Sequence, residues 1–265
     1  MAEFEYKIKD EEVCITKYVG SSKEVVIPEK IEGFPVTSVG EYAFSNNKLT
    51  SIDLSGVKSI GYGAFSRNKL TSIDLSGVES IGKYAFSGNK LTSINLSGVE
   101  SIGNCAFRSN NLTSVDLSNV KSIGRSAFED NELISIDLSG VESIGNYAFR
   151  DNKLTSVDFS GVKSIGEYAF SNNNLEAIIL PEKFRARTKE IFEFDEEELD
   201  NRNKKYVKKY VDKMQELYMK KLYKNSRKYG LIFEYITYYT YRESYDGMLE
   251  EAIKNIDCSV VCFLE

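Results

Sequence analysis

A chain of 265 residues could form one or two domains at about 100 to 200 residues each, and its net charge of -6 leaves no basic surface for general attachment to nucleic acid or anionic membrane. Histidine is absent, which removes the commonest general base and the commonest imidazole ligand for a metal. The acidity is concentrated in residues 1–181, with 17 Lys and Arg against 23 Asp and Glu, while residues 182–265 balance at 17 against 17.

The N-terminal segment Met1-Ala2-Glu3-Phe4-Glu5-Tyr6 has neither a basic n-region nor an apolar h-region. No apolar run approaches the roughly 20 residues needed to span a bilayer, so the chain as written is expected to be cytoplasmic, or on a cell surface if a leader has been removed. Residues 4–18 alternate apolar and polar around Asp10-Glu11-Glu12, which predicts a β-hairpin. An open sheet edge needs a cover, and residues 1–23 are assigned as that cap. Residues 24–48 form a first, irregular coil: Val39-Gly40 and Ala43-Phe44 match later copies, whereas Pro28, Gly33 and Pro35 mark an inserted loop.

From Leu49 a 21-residue unit repeats, opening at Leu49, Leu70, Leu91, Leu112, Leu133 and Leu154, with a shortened copy from Leu175. A period of about 20 to 29 residues is the mark of a solenoid, because one unit cannot bury its apolar face without neighbours. The solenoid is assigned to residues 24–181. Leu-Thr-Ser-Ile-Asp-Leu predicts a short strand, Ser-Ile-Gly a second extended piece, and Ala-Phe a tight turn. Stacked coils bring like residues to about 4.8 Å, so Phe44, Phe65, Phe86, Phe107, Phe128, Phe149 and Phe170 should form an interior column. Gly56, Gly77, Gly98, Gly140 and Gly161, with Asn119 in the remaining copy, suggest a left-handed backbone position. Asn47, Asn68, Asn89, Asn110, Asn131, Asn152 and Asn173 precede each leucine by two residues, where their amides can bond turn backbone and one another.

The repeat ends before residue 182. Residues 182–265 read as helical, with Val207, Tyr210, Val211, Met214, Leu217, Tyr218 and Leu222 at helical spacing. The resulting class is α+β: a β-rich solenoid with an N-terminal hairpin cap and a C-terminal helical region. Cys14, Cys105, Cys258 and Cys262 do not follow the repeat, and the last two are separated by three residues rather than two, so they read as ordinary thiols in a reduced chain.

Assembled, these residues resemble the leucine-rich repeat proteins of the BspA-like, Treponema-type class. The resemblance rests on Leu-Thr-Ser-Ile-Asp-Leu followed by Ser-Ile-Gly-x-x-Ala-Phe, and on Val26-Ile27-Pro28 with Gly33-Phe34-Pro35-Val36-Thr37-Ser38-Val39-Gly40. It covers about residues 4–181 and implies a curved β-rich solenoid that binds other proteins, often on bacterial or protist surfaces. Two departures stand out: the units are 21 residues long rather than the longer usual form, and asparagine stands where the family commonly has cysteine.

If Leu49, Ile52 and Leu54 point inward, Ser51, Asp53 and Ser55 face the concave surface. Asp53, Asp74, Asp116, Asp137 and Asp158 then line up, with Asn95 in the remaining copy. Carboxylates about 5 Å apart repel by roughly 0.8 kcal/mol even in bulk water. The strip therefore suits a Lys/Arg-rich protein partner or, more loosely, calcium; a solvated strand face copied by duplication is the alternative. The copies differ mostly at Tyr62, Lys83, Asn104, Arg125, Asn146 and Glu167, on the outer face.

No nucleophile-base pair, phosphate loop, cofactor site or metal site is apparent, so the chain reads as a non-enzymatic protein-interaction module, binding through the concave strand face or the C-terminal region. The alternative is nucleic-acid or membrane contact through the lysine-rich segment 202–228, where Tyr206, Tyr210, Tyr218 and Tyr223 are interleaved. An amphipathic helix with a solvated lysine face accounts for the same pattern.

Overall fold

The structure is a computed structural model that describes residues 3–206 together with Lys208 and Lys209. Contacts divide it into two compact units, one of Met1–Leu175 with Leu180–Glu196, the other of Glu176–Ile179 with the chain from Glu197.

The first unit begins with β1 (Phe4–Lys9) and β2 (Glu12–Tyr18), an antiparallel pair with a register shift at Glu5/Tyr6. Asp10 and Glu11 both have positive φ, 52° and 62°, the backbone of a two-residue turn whose twist matches its strands. Next come β3 (Glu24–Val26), β4 (Lys30–Ile31) and β5 (Phe34–Val39). The inserted stretch is not a plain loop: Ile31 pairs antiparallel with Phe34 around Glu32 and Gly33, at φ 52° and 88°. It is a second tight hairpin, made possible by Gly33, which by composition alone signals a loop.

The repeats then alternate two kinds of strand. The Ser-Ile-Asp type gives β6 (Ser51–Asp53) and the Ser-Ile-Gly type β7 (Ser59–Ile60); β8 (Ser72–Asp74), β9 (Ser80–Ile81), β10 (Ser93–Asn95) and β11 (Ser101–Ile102) continue the alternation. They are followed by β12 (Ser122–Ile123), β13 (Ser143–Ile144), β14 (Ser156–Asp158) and β15 (Ser164–Ile165). One sheet runs β1-β2-β5-β7-β9-β11-β12-β13-β15, parallel from β2 onward. The continuous ladder therefore passes through the short Ser-Ile-Gly pieces. Ser-Ile-Asp strands pair only locally in this unit, β3 with β6 and β8 with β10, and residues 114–116 and 135–137 are not strand.

Glycine in Ser-Ile-Gly explains that continuity. A Cβ on Gly82 would lie 2.7 Å from the carbonyl carbon of Gly61, and one on Gly103 would lie 2.7 Å from the Ile81 carbonyl oxygen. Only hydrogen lets the backbones approach this closely. The other glycine column is not left-handed as its composition suggests: of its members only Gly56 has positive φ, at 86°. Gly98 and Gly140 are instead pressed against the preceding coil, where a Cβ would meet Ser76 O at 2.5 Å and Ser118 O at 2.8 Å. Asn119 reaches the equivalent carbonyl with its side chain, donating from Nδ2 to Ser97 O at 2.9 Å. Left-handed backbone recurs instead in two other columns: Asn46, Arg67, Gly88, Ser109, Asp130, Asp151 and Asn172, with φ between 53° and 69°, and Tyr42, Gly63, Tyr84, Cys105, Ser126, Tyr147 and Tyr168, with φ between 52° and 61°. Only one residue of the second column is glycine, so composition concealed it; packing of the next coil holds the turn against a cost of roughly 1–2 kcal/mol per residue.

The phenylalanine column is continuous from Phe44 to Phe170, with successive centroids 5.1–5.6 Å apart and planes within 25° of parallel. Offset ring stacking adds to the burial of each ring. Both ends of the column are closed by rings from outside the repeat. Tyr18 stacks on Phe44 at 5.4 Å and Phe4 lies 6.1 Å from it. At the other end α1 (Glu182–Arg185) and α2 (Thr188–Phe192) follow, and Phe192 sits 6.1 Å from Phe170 and 5.9 Å from Phe159. The backbone of α2 also substitutes for a missing coil: Tyr147 N–H and Phe149 N–H donate to Glu167 O and Ala169 O, and one coil on, Tyr168 N–H and Phe170 N–H donate to Glu190 O and Ile191 O.

In the second unit, the strand β16 (Ala177–Ile179) precedes a helical segment that includes residues 197–206. Asn203 holds both polar groups of one peptide, accepting from Ile178 N–H at 2.9 Å and donating to Ile178 O at 3.0 Å. The described part of the chain is thus mostly β, with few and short helices.

Candidate interaction surface

Each Ser-Ile-Asp strand places its isoleucine or valine inward and its polar neighbours outward. Ile52 and Leu54 are buried while Ser51 and Asp53 are exposed, and Asp74, Asp116 and Asp137 are exposed likewise; Asp158 is half-buried. Each carboxylate also has a local partner that the sequence reading did not assign. One oxygen accepts the backbone N–H two residues on: Asp53 from Ser55 at 2.9 Å, Asp74 from Ser76 at 3.0 Å, Asp116 from Ser118 at 2.9 Å, Asp137 from Ser139 at 2.8 Å and Asp158 from Ser160 at 2.7 Å. The Ser55 and Ser160 hydroxyls donate to the same oxygens. This is the Asx turn, in which a short side chain replaces a backbone acceptor as the strand ends. The Asp-x-Ser spacing in every aspartate copy was the available signal.

At three of the five sites these bonds favour the ionised form. Asp53 is held below the usual carboxylate range, first by the Ser55 hydroxyl and then by its N–H. Asp74 and Asp116 are lowered, first by the backbone N–H of Ser76 and of Ser118. Repulsion within the column is present, since the Asp53 charge pushes Asp74 the other way, but it is the smallest of the causes there. Asn95 shows that the turn needs an acceptor rather than a charge: its Oδ1 takes the Ser97 N–H at 3.1 Å.

The asparagine column is structural and reaches further than the sequence suggests. Asn110 Nδ2 donates to Phe107 O in its own coil and to Phe86 O in the preceding one, both at 3.0 Å, while Oδ1 accepts Leu91 N–H at 3.1 Å. Asn68, Asn89, Asn131, Asn152 and Asn173 repeat the pattern. Among the described residues these amides bond backbone and not one another.

No three cysteine or acidic side chains among the described residues gather as a metal would require. No helix among them is long and apolar enough to cross a membrane. In the segment 202–228, Arg202 pairs with Glu198 at 2.9 Å and Lys209 with Glu176 at 3.2 Å. Val207, Tyr210, Val211, Met214, Leu217, Tyr218, Leu222 and Tyr223 lie outside the described residues, as do Cys258 and Cys262.

A family model described as "BspA type Leucine rich repeat region (6 copies)" matches residues 17–134 and 79–200. The chain belongs to this family. Among solved structures, this BspA-type protein is similar to the leucine-rich repeat protein of T. pallidum, with 25% identity and a TM-score of 0.51 over 73% of this chain and 96% of that one. A leucine-rich repeat protein from Bacteroides ovatus matches at 23% identity and a TM-score of 0.50, over 69% of this chain and 58% of that one. A leucine-rich cell surface protein from Faecalibacterium prausnitzii matches at 20% and 0.45, over 66% and 54%. The chain thus spans little more than half the length of the last two. A comparison with the curated proteins found none that matches.

Proposed function

We propose that this BspA-type protein is a non-enzymatic interaction scaffold whose strand face receives a basic segment of a partner protein along Asp53, Asp74, Asp116, Asp137 and Asp158. Membership of a repeat family built for protein contact supports the coarse reading. The basic character of the partner rests on one observation: outward-facing carboxylates, each fixed by an Asx turn, with Asp53, Asp74 and Asp116 held ionised. Fixing one oxygen leaves the second available and lowers the entropy lost when a lysine or arginine arrives. The reading holds in the cytoplasm and on a cell surface alike, since it needs only the exposed strand face.

Titration of the full chain with a lysine-rich peptide tests it. In Asp116→Asn/Asp137→Asn the asparagines keep the turn acceptor, as Asn95 does, so the variant loses charge and not fold. Binding weakened about five- to thirtyfold is expected, in line with roughly 0.5–1 kcal/mol for each of two exposed ion pairs. Unchanged affinity would sink the assignment of the strip.

A further inference from the structure

A duplicated unit makes its own departures conspicuous, and in this chain they cluster. The column of Tyr42 carries rings also at Tyr84, Tyr147 and Tyr168 but small residues at Gly63 and, in two adjacent coils, at Cys105 and Ser126. The column that reads serine at Ser45, Ser66, Ser87 and Ser171 changes to Arg108, Glu129 and Arg150 in three consecutive coils. The column of Tyr62, Lys83, Asn104, Asn146 and Glu167 has its one arginine, Arg125, in the middle of the same stretch. The serine column thus changes in three consecutive coils, and Arg125 lies within the same stretch.

The geometry joins them. Tyr147 stacks on Tyr168 at 5.5 Å, and the guanidinium carbons of Arg125 and Arg150 lie over its ring at 5.4 and 5.6 Å. Arg108 pairs with Glu129 at 3.3 Å, whose side chain is only 11% exposed, and Arg150 pairs with Asp151 at 3.3 Å. Arg125 is exposed and its side chain has no ion pair among the described residues. The pKa of the Tyr84 hydroxyl is raised, first by its hydrogen bond with Cys105, while the charges of Arg108 and Arg125 act in the opposite direction. Cys105 and Ser126 carry no ring between Tyr84 and Tyr147, and the Tyr147 ring is covered by Arg125 and Arg150.

We infer that this arginine cluster is a second docking site, on which Arg125, placed over the Tyr147 ring, takes a carboxylate from an acidic segment of a partner protein. Glu129 and Asp151 match Arg108 and Arg150, which leaves the exposed Arg125 as the unmatched charge of the patch, opposite in sign to the aspartate strip. A guanidinium stacked on an aromatic ring keeps its planar fork of donors in place for a two-point bond to carboxylate. Cation–π contact orients it at little entropic cost. The site also sits where the repeat varies, which is where discrimination between partners has to reside.

The test uses the full chain and a fluorescein-labelled hexaglutamate peptide at low salt, read by fluorescence anisotropy. Wild type should bind, Arg125→Glu at least tenfold more weakly, and Arg125→Lys, which keeps the charge without the fork, in between. Ser126→Tyr inserts the residue that four other coils carry at the same left-handed position, so it should fold and, by adding a ring that competes with Arg125 for Tyr147, also weaken binding. Asp116→Asn/Asp137→Asn should leave hexaglutamate binding unchanged, which separates this site from the aspartate strip. Wild-type affinity in both Arg125→Glu and Ser126→Tyr overturns the inference. So does stronger binding at Arg125 by a single-stranded oligonucleotide of equal charge, since the occupant would then not be a protein.

Discussion

The asparagine and aspartate columns repeat with the same period, yet they repeat for different reasons. Asn68, Asn89, Asn110, Asn131 and Asn152 are 5–7% exposed, and each ties two coils together through backbone groups that water does not reach. Asp53, Asp74, Asp116 and Asp137 are exposed, and each holds a single turn within its own coil. Uniformity in the first column is imposed by the fold. In the second the fold asks only for an acceptor, as Asn95 shows, so the charge is open to a partner.

Substitutions can break that contrast. Asn110→Ala removes the bonds to Phe86 O, Phe107 O and Leu91 N–H; with about 1–3 kcal/mol for a buried group left unpaired, a loss of about 3 kcal/mol or more is expected in chemical denaturation. Asp116→Ala removes one exposed acceptor and should cost about 1 kcal/mol by the same measurement. Asp116→Asn should stay within about 0.5 kcal/mol of wild type, because the Ser118 N–H keeps a partner. A cost for Asn110→Ala no larger than that for Asp116→Ala would erase the distinction between the columns.

The smallest effect is on acid stability. Asp53, Asp74 and Asp116 have folded pKa values below their ordinary ones, so the folded state binds fewer protons than the unfolded one at those sites. The contribution is complete at neutral pH and disappears as pH falls through the lowered folded values. The triple variant Asp53→Asn/Asp74→Asn/Asp116→Asn should therefore lose less melting temperature between pH 7 and pH 3 than wild type does, with equal salt at each pH.

Some of this was plain in the residues. Leucine every 21 positions and the phenylalanine column predict the solenoid, because burial of like side chains in stacked coils is a direct consequence of period and hydrophobicity. The aspartate column was visible too, but its Asx turns were not assigned, although Asp-x-Ser recurs in every aspartate copy. The left-handed turn was placed on the wrong column, since glycine there serves close contact with the preceding coil at Gly98 and Gly140. One left-handed column holds Asn46, Gly88, Asp130, Asp151 and Asn172, which propensity favours, whereas the other is mostly tyrosine, cysteine and serine, which no propensity argument would choose.

The sequence by itself determined the period, the inward and outward faces of each strand, and the family. Only the tertiary structure decided which strand row forms the unbroken ladder, how α2 takes the place of a further coil, and that Arg125 and Arg150 converge on Tyr147. The physical reason is the same in each case. Periodicity encodes what a residue does within its own coil, whereas close backbone approach, tolerated left-handed strain and converging charge depend on the coil stacked against it.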